Sequence, residues 1–220
     1  MDKKFWHERW ENNQIGFHQQ EINSYLQQFW SRLQLPAGAT VFVPLCGKSR
    51  DMLWLLEQGY RVLGIEISPI AVADFFRENG LAPEVTSQDG IARWSCDELV
   101  ILCGDFFTLR AADVAHCGAV YDRASLIAMP PAMRPAYAEK LQSLFPAARP
   151  ILLVSMEYPQ QQMDGPPFSV QEVEVHGLYA GRFTIENILT RDILDDSPRF
   201  RNRGVTAMRE RVYLLRPMTG

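Results

Sequence analysis

Apolar positions along this chain change period several times. Leu26, Phe29, Trp30 and Leu33 repeat at i, i+3, i+4 and i+7, which predicts a helix ended by Pro36-Ala-Gly38. Val41–Val43 is wholly apolar and predicts a buried strand. Asp51–Gln58 predicts a helix with Met52, Leu53, Leu55 and Leu56 inward and a stop at Gly59. Arg61–Ile67 predicts a second strand. Ser68-Pro69 then opens a helix, because a Ser hydroxyl caps free amides and Pro suits the first turn. Phe75 and Phe76 form its buried face, and Gly80 closes it.

The pattern loosens over residues 81–98, which read as a loop or hairpin. Leu99–Cys103, Ala119–Asp122 and Ile151–Met156 predict three more strands. Pro131 opens a helix with Met133, Tyr137, Leu141 and Leu144 on one face, and residues 159–168 form a turn-rich loop. Ser169-Val-Gln-Glu172 fits a capping box, a match short enough to arise by chance. Thr184–Leu189 reads as a short helix and Val205–Leu215 as one or two closing strands. Residues 5–20 are aromatic and polar without a clean period. Strands alternating with helices predict an α/β fold: a doubly wound, mostly parallel sheet covered on both faces. Ligands of such sheets lie outside the C-terminal strand ends. Glu66, Asp105, Asp122 and Arg123 fall at those ends. Any one alone reads as a solvated loop charge; four in one sheet point to a shared site.

Length and composition narrow the class. The 220 residues with 47% hydrophobic content suffice for one sizeable core, so a single domain over residues 1–220 is expected. A net charge of -4 gives no long-range attraction to nucleic acid or to an anionic membrane. No apolar run approaches the roughly 18 residues of a membrane span. The charged, aromatic N-terminus does not read as a secretory signal. Cys46, Cys96, Cys103 and Cys117 have no CxxC spacing, and His7, His18, His116 and His176 are scattered, which argues for reduced cytoplasmic thiols and against a metal site.

The turn Val43-Pro-Leu-Cys-Gly-Lys-Ser49, followed by Val62–Ser68, carries the chemistry. Glu66 lies about 20 residues beyond Gly47, the separation at which nucleotide-binding α/β units place an acid on a ribose diol. Gly47-Lys48-Ser49 imitates the end of a phosphate-binding P-loop, but that motif needs a Gly at position 42, which is Phe. A dinucleotide fingerprint fails as well, since Gly47 is the only glycine of the turn. The pattern therefore favours S-adenosylmethionine, which has no phosphates, over NAD or ATP. Lys48 and Ser49 then read as the beginning of an ordinary helix.

Six segments lie in register with a known family: Trp6-His-Glu-Arg-Trp10, Gly16-Phe-His-Gln19, Val43-Pro-Leu-Cys-Gly-Lys48, Gly64-Ile-Glu-Ile-Ser68, Tyr121-Asp-Arg123 and Gly165-Pro-Pro-Phe168. Together they resemble bacterial thiopurine S-methyltransferases, class I S-adenosylmethionine-dependent enzymes, over nearly the whole chain. The resemblance implies a seven-stranded sheet, an N-terminal lid within residues 1–36, and S-adenosylmethionine as donor with S-adenosylhomocysteine as product. It implies a small aromatic or heterocyclic thiol as acceptor, or a selenium or tellurium compound as an equally soft nucleophile. On the donor side it implies Trp10, Leu45, Glu66, the Gly104–Phe106 stretch with Asp105, and Arg123. Toward the acceptor it implies Phe17 and Arg199, with Arg201 and Arg203 competing for the latter place. Tellurite resistance is among the traits such a family suggests, and a monomer is the expected state.

Methyl transfer from a sulfonium is a direct displacement, so the protein mainly supplies alignment and exclusion of water. A heteroaromatic thiol is acidic enough to need no strong base, which fits a sequence without a nucleophile–base pair. Arg123 is the candidate catalytic residue. Its fixed charge would favour a thiolate or hold a ring nitrogen, or it would only orient the donor's carboxylate. Trp6, Trp10 and Phe17 would close over sulfonium and ring. His18 would either shuttle a proton or anchor the lid. Two other classes remain: an NAD-type oxidoreductase on the same sheet, and a non-catalytic binding protein.

Overall fold

A computed structural model describes residues 3–88 and 90–218; Met1, Asp2, Asp89, Thr219 and Gly220, including the first residues of the expected lid, lie outside the described residues. The chain divides into two compact units, residues 1–121 and 122–220. In chain order the first holds α1 (Lys3–Glu11), α2 (Ser24–Phe29), β1 (Thr40–Val43), α3 (Asp51–Glu57), β2 (Arg61–Glu66), α4 (Pro69–Glu78), β3 (Glu84–Gln88), β4 (Ile91–Cys96), β5 (Leu99–Cys103) and α5 (Ala111–Val114). It ends inside β6 (Cys117–Arg123). The second holds α6 (Arg134–Leu144), β7 (Ile151–Glu157), α7 (Glu172–Tyr179), β8 (Phe183–Asp192), α8 (Pro198–Arg201) and β9 (Arg209–Pro217).

Strand order in the first unit is β3-β4-β5-β2-β1-β6. β5, β2, β1 and β6 run parallel, and the fully buried β1 sits between β2 and β6. The chain winds from β1 toward β5 and then returns to the other side of β1, so the order reverses there. Such a reversal opens a crevice at the C-terminal strand ends. The stretch 81–98 forms the hairpin β3–β4, antiparallel to each other and to β5. In the second unit β9 lies between β7 and β8, all antiparallel. The described residues therefore hold nine strands where seven were expected, with β5, β2, β1 and β6 forming the parallel part and β3, β4, β7, β8 and β9 making the antiparallel pairs.

Local chemistry explains most elements. Asn23 caps α2, its Oδ1 accepting from the amides of Tyr25 and Leu26 at 3.0 and 3.2 Å. The stripe Leu26, Phe29, Trp30 and Leu33 is buried, although the chain tightens to a 3-10 turn from Trp30. Ser68 caps α4 as expected, its Oγ accepting from Ala71 N–H at 3.3 Å.

Residues 5–20 include part of α1, a helix whose period is hidden by Trp and Phe among charges. Two expectations are corrected. Residues 184–189 belong to β8, because a bulge between Asn187 and Leu189 breaks the period-two alternation and imitates a helical pattern. The capping box at Ser169 is absent: its Oγ accepts from Tyr158 N–H at 2.9 Å, and α7 begins with no side-chain cap.

Arg134 organises the second unit. This guanidinium is 1% exposed and donates to the carbonyls of Met129 and Ser169 at 3.0 and 2.9 Å. It also pairs with Glu174 at 2.6 Å. Phe168 N–H donates to Ile127 O at 2.7 Å, so the segment after β6 and the Gly165–Phe168 loop are tied at two places. Removing the guanidinium leaves two buried carbonyls without their donor, while Glu174 at 30% exposure keeps access to water. Arg134→Ala is expected to lower the unfolding free energy by about 1–3 kcal/mol in urea denaturation. A loss below about 1 kcal/mol, as for an exposed pair, would contradict this account.

Candidate functional site

The turn after β1 rests on two left-handed residues, Leu45 at φ +48° and Gly47 at φ +52°. An L residue in that region costs about 1–2 kcal/mol, so neighbouring bonds must hold Leu45 there. Cys46 N–H donates to the Ile65 carbonyl at 2.9 Å, and Gly47 N–H donates to Glu66 Oε2 at 2.9 Å. Ser68 N–H donates to Glu66 Oε1 at 2.8 Å. One carboxylate thus joins the β1 turn to the start of α4. Gly64 permits the approach: a Cβ there would lie 2.8 Å from Cys46 Sγ.

Glu66 is 5% exposed. Burial raises its pKa above the ordinary carboxylate value, opposed by the amides of Ser68, Gly47 and Ile67. A carboxylate has about four acceptor positions, so these amides do not exhaust it. That spare capacity suits a pair of hydroxyls. The same buried charge acts on the thiols beside it. Burial first, and Glu66 second, push Cys46 well up, and they push Cys103, the register partner of Glu66 on β5, up to about 11. Both remain thiols at neutral pH, where neither is a ready nucleophile. All four cysteines are free, and among the described residues no group of His, Cys, Asp and Glu is placed to hold a metal.

Helix α1 lies over this turn. Lys3, in its first turn, pairs with Asp105 Oδ2 at 2.7 Å. Trp10, near its end, packs on Gly47, with ring carbon Cζ2 3.4 Å from where a Gly47 Cβ would be. The helix therefore runs from the C-terminal end of β5 to the turn after β1. Phe17 meets both Trp6 and Trp10 edge-on, at 5.5 Å between ring centroids. Trp10 is buried, whereas Phe17 is 36% exposed.

The predicted residues take distinct places. Trp10, Phe17, Leu45, Glu66, Asp105 and Phe106 all lie in the first unit, at the C-terminal strand ends and the segment above them. Asp105 uses Oδ1 to accept from Phe107 N–H at 2.9 Å, capping the turn that buries Phe106, and uses Oδ2 for Lys3. Arg123 and Arg199 belong to the second unit. Arg123 ends β6 and is half-buried, and Ala124 follows at φ +70°. Arg199 lies on α8, exposed, with its guanidinium 4.7 Å from the Phe200 ring centroid. Its pKa is lowered by partial burial and by the Arg203 charge. Arg201 is paired with Asp195.

Two residues were missed or misread in the sequence. Asp51, 1% exposed, accepts from Asn23 N–H at 2.8 Å and from the Tyr121 hydroxyl at 3.0 Å. It pins the entry to α2 against α3 and β6, and its first-turn helix position signalled only a helix start. Lys48 does not begin a helix: it is buried in the turn, 2.8 Å from Glu78 of α4. A Lys so occupied is turned toward α4 by its carboxylate partner.

Known proteins share this architecture and sequence. The family model described as Thiopurine S-methyltransferase (TPMT) matches residues 1–218. A thiopurine S-methyltransferase of Pseudomonas fluorescens is 52% identical over 98% of this chain and 99% of its own length. One of Nitrosospira multiformis is 48% identical over the whole of both chains. Among solved structures, an S-adenosylmethionine-dependent methyltransferase of Anabaena variabilis superimposes with a TM-score of 0.67 at 10% identity, covering 98% of this chain and 95% of its own. A 1,6-didemethyltoxoflavin-N1-methyltransferase of Burkholderia thailandensis, solved with S-adenosylhomocysteine, gives 0.61 at 15% identity, covering 99% and 87%. These structures establish a class I methyltransferase fold.

The contact between Gly64 and Cys46 leaves no room for a methyl group. Gly64→Ala is expected to destabilise the protein by about 1–3 kcal/mol through overpacking, read as a lower urea midpoint. An unchanged midpoint would show that the turn yields freely.

Proposed function

The chain belongs to the thiopurine S-methyltransferase family, and from that premise we propose that it methylates the sulfur of a small aromatic or heterocyclic thiol, using S-adenosylmethionine and releasing S-adenosylhomocysteine. The observation that carries this reading is the doubly anchored Glu66 carboxylate at the strand-order reversal, with acceptor capacity left for a ribose diol. The donor supplies an electrophilic methyl on a sulfonium. The thiolate sulfur forms a bond to that carbon as the carbon–sulfonium bond breaks, and the proton of a neutral thiol passes to solvent.

The side chains divide the work. Glu66 holds the ribose, and the turn Leu45–Gly47 keeps backbone close to the donor's amino-acid portion. Gly104–Phe106 borders the adenine. Trp10 and Phe17 form a lid of apolar rings that excludes water and favours the sulfonium by about 0.5–2 kcal/mol per ring. Lys3 holds that lid through Asp105. Arg123 stabilises thiolate character in the acceptor, and Arg199 faces the acceptor from α8. The two compact units act as one catalytic domain, a reading supported by a family match that spans both.

Selenium and tellurium compounds are further acceptors in this reading, since they share the softness of a thiolate sulfur. A cytoplasmic site of action is supported by four free cysteines. A monomer is supported by the scatter of the exposed large apolar residues Phe17, Ile70, Val85, Val173 and Met218. No helix among the described residues is long and apolar enough to cross a membrane.

The direct test supplies S-adenosylmethionine with a panel of a thiopurine, thiophenol, and selenite- and tellurite-derived acceptors, and measures S-adenosylhomocysteine and methylated product. Turnover is expected with the aromatic thiols. Absence of product with every thiol would overturn the reading.

A further inference from the structure

Asp122 sits one residue before the proposed catalytic Arg123, and no step above uses it. It is fully buried. Its Oδ2 accepts from the Tyr137 hydroxyl of α6 at 2.7 Å, while Oδ1 is buried with no partner among the described residues. The Ser125 hydroxyl and the amides of Ser125 and Leu126 also favour its charged form. The carboxylate is thus anchored to α6 through Tyr137 at the residue that leads directly into Arg123. The next two residues, Arg123 and Ala124, make a sharp turn in which Ala124 is left-handed at φ +70°. Such a conformation persists in a non-glycine residue only where its surroundings over-determine it.

We propose that Asp122 is a positioning residue: its carboxylate fixes the shape of the Arg123–Ala124 turn and so the direction in which Arg123 meets the acceptor. This rests on the reading that Arg123 acts in transfer.

Because the anchor depends on an accepting carboxylate, it responds to acid. Burial pushes Asp122 up to about 6, against the pull of Tyr137, Ser125 and Leu126. The titratable groups nearby are Tyr137 of α6 and Tyr179 of α7, both held as neutral phenols well above their ordinary range by burial and by the Asp122 charge. Arg123 adjoins it in the chain. Neither tyrosine titrates near neutrality, and the variants below assign the transition to Asp122 rather than to Glu66, the other buried carboxyl raised by burial. Protonation turns one acceptor into a donor, and the turn loses its anchor. The sign for stability is opposite. A carboxyl raised on folding favours the folded state when protonated, and that contribution fades as pH rises through about 6. Acid should therefore reduce turnover without unfolding the protein through this group.

The test measures kcat and donor KM from about pH 5 to about pH 8, with an aromatic thiol acidic enough to stay a thiolate throughout. Wild-type kcat is expected to fall roughly tenfold on the acid side, around pH 6, with donor KM unchanged. Asp122→Asn should be flat across the range at the acid-limb rate. Tyr137→Phe removes a bond that lowers the Asp122 pKa, so its transition should move upward. Arg123→Ala should be slow, and adding Asp122→Asn to it should cost nothing more. A slow Arg123→Ala beside an Asp122→Asn protein that keeps wild-type rate and pH step overturns the positioning role alone. So does an additive loss in the double variant, or an unmoved transition in Tyr137→Phe. An Arg123→Ala protein with wild-type turnover overturns the reading of Arg123, and the positioning role with it.

Discussion

A single buried carboxylate sets the geometry of the turn after β1 and of the start of α4. Glu66 accepts one amide from the β1 turn and one from the start of α4. Removing water from a carboxylate is unfavourable, and hydrogen bonds to the charged form recover part of that cost. The rest of the first unit is arranged around this bargain. Gly64 lacks a side chain so that Cys46 can lie against β2. Leu45 and Gly47 adopt left-handed backbone so that the Gly47 amide points at the acid. Trp10 covers the turn from above. A carboxylate held in this way has both oxygens preoriented before any ligand arrives, which reduces the ordering cost of binding.

The two units contribute different chemistry. The first holds the cradle and the helix lying over it, and a single surface pair, Lys3–Asp105, fastens that helix at one end. Exposed pairs contribute about 0–1 kcal/mol, so the aromatic contacts of Trp10 and Phe17 carry most of the closure. The second unit is built on Arg134 and Asp122, two buried charges with complementary roles. Arg134 draws distant carbonyls together, and Asp122 holds the turn that follows β6.

Much of this was legible in the sequence, for identifiable reasons. Parallel strands buried on both faces read as short apolar runs, so β1, β2, β5 and β6 stood out. Glu66 was legible because its spacing from Gly47 follows from one βαβ unit. At the antiparallel end β8 was not: the bulge near Asn187 destroyed the alternation that would have marked it. Asp51 was hidden because a first-turn acid is favourable on any exposed helix, and only the fold brings Asn23 and Tyr121 to it. Lys48 read as an ordinary helix start because its partner, Glu78, lies 30 residues away. Residues whose role depends on neighbours remote in sequence leave no local signature.

The central claim is that Glu66 reads the ribose hydroxyls of the donor. The most direct measurement is a calorimetric cycle: wild type and Glu66→Ala, each titrated with S-adenosylhomocysteine and with its 2′-deoxy analogue. In wild type, losing the hydroxyl is expected to weaken binding roughly tenfold or more, as for a hydrogen bond to a charged group. In Glu66→Ala the two ligands should bind alike. An equal penalty for the missing hydroxyl in both proteins would contradict the account, because the diol would then be read by some other group.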